Sequence, residues 1–111
     1  MDRKYTLIAD GFDGAAQCLE SNPTINDLRA RHAAIGELWP MADADRVAML
    51  SRVSNRETPA DTTEEINRLV GMGQIGIRIA IECLDQGNHP NPLKSAADLR
   101  DIATQLRSLG A

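Results

Sequence analysis

The chain has 111 residues, 42% of them hydrophobic and 25% charged, which is ordinary globular usage and excludes a disordered tail. A formal charge of −4 withholds the concentrated basic surface that nucleic-acid binding needs, and a single Trp, Tyr and Phe leave scarcely any platform for stacked bases. No run of about 18 apolar residues offers a membrane span, and the charged start Met1-Asp2-Arg3-Lys4 leads to Asp10 and Asp13 instead of a leader's apolar core. A cytoplasmic protein of one domain, residues 1–111, is expected.

Apolar residues three and four apart account for almost all of the sequence. Tyr5, Ile8, Phe12, Ala15, Ala16 and Leu19 mark one face of a first helix, weakened by Gly11 and Gly14 and ended at Asn22-Pro23. Thr24 caps a second helix carrying Ile25, Leu28, Ile35, Leu38 and Trp39, which Pro40 stops. Asp43 caps a short third helix with Val47, Leu50 and Val53 as its apolar face, and the turn-rich stretch from Ser54 to Ala60 follows. Thr62 and Glu65 have capping-box spacing and open the longest element, from about Thr63 to Gln86. Its stripe is Ile66, Leu69, Val70, Gly73, Ile77, Ala80, Ile81 and Leu84, with Gly87 placed to end it. Ser95, with Asp98 three residues on, opens a last helix bearing Leu99, Ile102, Ala103, Leu106 and Leu109. The expected fold is all-α, a single-domain bundle of four main helices plus one short helix.

Gly71-Met72-Gly73-Gln74-Ile75-Gly76 has the spacing of a dinucleotide-binding fingerprint. That fingerprint requires a strand before the glycines and an acidic residue ending a second strand about 20 residues on. Here a helix start precedes it, and Gly87-Asn88-His89-Pro90-Asn91-Pro92 breaks the chain where the second strand should run. No cofactor is expected.

Three glycines inside a helix cost about 1 kcal/mol each relative to alanine, so something must offset them. Gly73, Gly76 and Ala80 form a flattened groove along the stripe, where another backbone can approach closely, from within the chain or across a dimer; a small ligand filling the groove, or a local kink that makes Gly71 to Gly76 a hinge, are the alternatives. Gly73, Gly76, Ile77 and Ala80 are accordingly the expected partner-binding residues. Ile75 and Ile79 widen the apolar face, which suits a central helix or a homodimer.

His32 sits mid-helix in Arg29-Ala30-Arg31-His32-Ala33-Ala34-Ile35-Gly36. Its spacing to Gly36 resembles that of histidine phosphotransfer domains, which implies His32 as a phosphoryl acceptor flanked by Arg29 and Arg31. The chain departs from that family at Ile35, where a lysine is usual. The second and third helices can also be read as a helix-turn-helix presenting Arg46, Arg52 and Arg56 to DNA, although Asp43, Asp45 and Glu57 cancel the local charge. Cys18 and Cys83 are expected as buried free thiols. Cys83 with His89 supplies two metal ligands where zinc needs at least three, so no metal is expected. With no catalytic constellation, the remaining expectation is a non-enzymatic protein-interaction module: an adaptor, a regulator or an inhibitor of a larger complex.

Overall fold

Side-chain oxygens placed against free backbone N–H groups set where most of the helices begin. The computed structural model describes residues 3–21, 23–88 and 91–110, and these form five helices and no strand: α1 (Arg3–Ser21), α2 (Ile25–Leu38), α3 (Asp43–Ser54), α4 (Thr62–Asp85) and α5 (Pro92–Gly110). The fold is all-α. Thr24 caps α2 as expected, its hydroxyl accepting from the Asp27 N–H at 3.2 Å. The other starts differ from the sequence reading. Asp61, not Thr62, caps α4 by accepting from Glu64 N–H at 2.9 Å, while the Glu64 carboxylate reaches back to Ala60 N–H at 2.7 Å. Asn91 Oδ1 accepts from Lys94 N–H at 3.0 Å, so α5 opens at Pro92, three residues before Ser95. Asp43 is the first helical residue of α3, behind Ala42, which makes no side-chain cap bond.

α4 is one uninterrupted helix through Gly71-Met72-Gly73-Gln74-Ile75-Gly76, so the glycines form no phosphate loop. It ends as its sequence suggests: Gly87 has φ +72°, a conformation glycine adopts without steric cost, and Asn88 N–H closes onto Cys83 O at 2.7 Å.

α4 touches each of the other helices, and α1 with α5 is the most extensive pairing. Arg100 pairs with Glu20 and, at 3.6 Å, with Asp13; Arg107 reaches Asp10 at 2.8 Å and Asp13 at 2.7 Å. This order makes α1 and α5 antiparallel. Buried alanines on both, including Ala15, Ala16, Ala96 and Ala103, let the two backbones close up around Ile8, Phe12, Leu99 and Leu106. Cys18 and Cys83 are free and half-buried, not fully buried as expected.

The cost of the α4 glycines is offset inside the chain. A Cβ on Gly73 would lie 2.4 Å from the Phe12 ring, and one on Gly71 would lie 2.3 Å from the Met49 methyl. Both side chains therefore rest directly on the α4 backbone, Phe12 from α1 and Met49 from α3. Gly76 is roomier: a Cβ there would lie 4.0 Å from Leu99. Ile77 and Ala80 are buried in the core. The groove expected to receive a partner is thus occupied from within, and Gly73, Ile77 and Ala80 offer a second molecule no surface.

Candidate functional site

α3 stands apart from the rest. It packs on α4 and on no other described helix, and Met49 is its one buried residue. The sequence reading put Val47, Leu50 and Val53 on its inner face; Val53 is half-buried, but Val47 is 65% exposed and Leu50 39% exposed. A helix with a single neighbour buries only a narrow stripe, and here that stripe runs through Met49 and Val53. Beyond it, α4 turns Met72 and Ile79 toward solvent, so the excess apolar width seen in the sequence is only partly covered by the bundle.

α2 and α3 both lean on α4 without packing on each other, which removes the helix-turn-helix geometry. The three arginines also fail to form a free basic face. Arg52 is tied to Glu64, Arg56 lies in the turn after α3 with φ 57°, and Arg46 stands 3.8 Å from Asp43.

Between α2 and α3 the separation leaves an open cleft of about 330 Å³ over the middle of α4. Trp39, the only tryptophan, is part of its lining. The indole N–H donates to Asn67 Oδ1 at 2.8 Å, Tyr5 meets the ring edge-on with centroids 6.3 Å apart, and Lys4 Nζ lies 5.8 Å from the ring centre. Met41, Val70 and Ile75 add apolar lining, and His32, Arg46, Gln74 and Arg78 supply the polar groups. Among the described residues no carboxylate lines the cleft.

His32 is half-buried on the α2 wall. Burial holds its imidazole below the ordinary histidine range, and the charges of Arg78 and then Arg46 lower it further. The cations facing it are therefore not those suggested by the sequence. Arg31 turns instead toward Gly14 of α1, and Arg29 is exposed on α2. Among the described residues Arg78 has no carboxylate within ion-pair distance. Gln74 Nε2 donates to His32 O at 2.9 Å, which fixes the amide, while its Oε1 is buried without a donor. Arg46 and Arg78 lie 14 and 46 residues from His32 in sequence, and no local pattern announces that grouping.

A second depression, of about 250 Å³, flanks α3 on its other side. Its cations are already neutralised: Arg52 by Glu64, and Arg68 by Glu65 at 2.5 Å. The Glu65 hydrogen bond raises the Arg68 pKa.

Among the described residues no three His, Cys, Asp or Glu side chains stand together as a metal site, and no helix is long and apolar enough to cross a membrane. His89 lies outside the described residues. No protein-family model, curated protein or solved structure matches this chain.

Proposed function

We propose that the chain is a small, non-enzymatic, cytoplasmic protein-interaction module that meets its partner through α3 and the outer face of α4. The observation that carries this reading is the exposure of Val47 and Leu50 on a helix held to the bundle by one buried residue. Large aliphatic side chains on a peripheral helix lose water contact when a partner helix covers them, at about 25 cal/mol per Å² of apolar surface buried. Met72 and Ile79 on α4 add apolar surface of the same kind. On this reading the partner-facing surface lies at Val47 and Leu50, since Gly73, Ile77 and Ala80 are buried.

The test is residue-resolved cross-linking of the full chain in its native cells, repeated with Val47→Asp/Leu50→Asp. Cross-links concentrated on α3 and α4, and lost in the double variant while its far-ultraviolet spectrum is unchanged, are expected. Cross-links centred on α1 and α5, or a partner retained by the double variant, would overturn the assignment. A second copy of the chain is one admissible partner, and sedimentation of the purified protein at several concentrations identifies that case.

A further inference from the structure

The cleft between α2 and α3 combines features that the interaction surface does not use. Its rim carries two guanidinium groups and an imidazole, from three different helices, with no carboxylate in the lining among the described residues. Asp43, the ion-pair partner of Arg46, is fully out in solvent and reaches it only at 3.8 Å, a separation and exposure at which an ion pair contributes little. Arg52, Arg68, Arg100 and Arg107, by contrast, each have a carboxylate partner at hydrogen-bond distance. The lining adds Trp39, Met41 and Ile75 as apolar surface. About 330 Å³ is the lower end of the range for metabolite-sized sites.

We propose that this cleft binds a small organic anion, a phosphate ester or carboxylate on an apolar body, with its charged end between Arg46 and Arg78 and its apolar end against Trp39. Each part of the ligand answers a group on the wall. The anion supplies the acceptor oxygens that the two guanidinium groups lack. The apolar body covers the Trp39 indole and Met41. The imidazole of His32, whose pKa is lowered by burial and then by Arg78 and Arg46, gains an anion beside it. The inference does not depend on the protein-interaction reading, because Val47 and Leu50 are not among the cleft's lining residues.

Trp39, as the only tryptophan, reports occupancy without a label. The experiment titrates the full chain with cyclohexyl phosphate, which does not absorb where indole does, and with cyclohexanecarboxylate, inorganic phosphate and cyclohexanol in parallel. Cyclohexyl phosphate or the carboxylate is expected to change Trp39 fluorescence saturably with half-saturation near or below about 1 mM, and whichever of the two binds more tightly names the headgroup. Inorganic phosphate and cyclohexanol, each lacking one half of the ligand, are expected to bind at least about tenfold more weakly. Arg46→Gln and Arg78→Gln should each weaken binding about tenfold. The pKa of His32, followed by its ring-proton resonance, should rise on saturation. Failure of both amphipathic anions to saturate by about 10 mM, ten times that limit, would overturn the proposal. Binding indifferent to both arginine substitutions, or a Trp39 response that leaves the His32 titration unmoved, would do the same.

Discussion

The α1–α5 pair and α3 are built from similar amounts of aliphatic sequence, yet they hold to the molecule in opposite ways. α1 buries Ile8, Ala9, Phe12, Ala15, Ala16 and Leu19 and meets α5 along its length, with Arg100 and Arg107 bridging to acids of α1. α3 buries Met49 and touches α4 alone. A helix clamped on several sides has its surface specified by its neighbours; a helix with one neighbour keeps most of its circumference for solvent or a partner. The difference also explains the clefts, since α3 packs on α4 alone, through Met49, the half-buried Val53 and the Arg52–Glu64 pair, and does not close against α2.

If the α1 side is the rigid part, the largest stability loss belongs there. Phe12→Ala removes a fully buried ring and leaves Gly73 facing a void, so a loss of about 3–5 kcal/mol in denaturant unfolding is expected. A loss below about 1 kcal/mol would mean that Phe12 is not the contact holding α1 to α4.

The glycines sharpen the comparison because neighbouring positions carry opposite signs. Gly73→Ala places a methyl inside the space of the Phe12 ring and should destabilise by about 1–3 kcal/mol, reduced by up to about 1 kcal/mol of helix propensity. Gly76→Ala meets Leu99 at ordinary contact distance, so the propensity gain stands nearly alone and the variant should be more stable by up to about 1 kcal/mol. Equal signs for the two substitutions would contradict the close packing of Phe12 on the α4 backbone.

The smallest effect lies in the cleft. His32 has a folded pKa below its unfolded value, because burial and then Arg78 and Arg46 disfavour the charged ring. The folded state therefore binds fewer protons, and its contribution is present above the unfolded pKa near 6.5 and is lost as pH falls through the folded value. Melting temperature should decline between pH 7 and pH 5 more in the wild type than in His32→Gln. Identical declines would place His32 in ordinary solvent.

The helices were legible because capping residues and proline or glycine breaks coincide with hydrophobic periodicity at Thr24, Pro40 and Gly87. The starts of α4 and α5 were less so, because Asp61, Thr62 and Thr63 can all cap, and Asn91-Pro92 competes with Ser95. The face of α3 was misread because a 12-residue helix shows too few turns to separate the Val47–Leu50 stripe from the Met49–Val53 stripe. The glycine seam was legible as a close approach, but its occupants, Phe12 and Met49, lie far away in sequence. The cleft was not legible at all. Its cations belong to α3 and α4, its imidazole to α2, and only the failure of α2 and α3 to pack brings an open space between them.

The central claim, a rigid bundle carrying a lightly attached α3, is tested most directly by native-state hydrogen exchange resolved by residue. Amides of α3 are expected to exchange through local opening, at a free energy well below that of α1, α4 and α5, and with little dependence on denaturant. Amides in the middle of α3 that exchange only through the same global unfolding as those around Phe12 would contradict it.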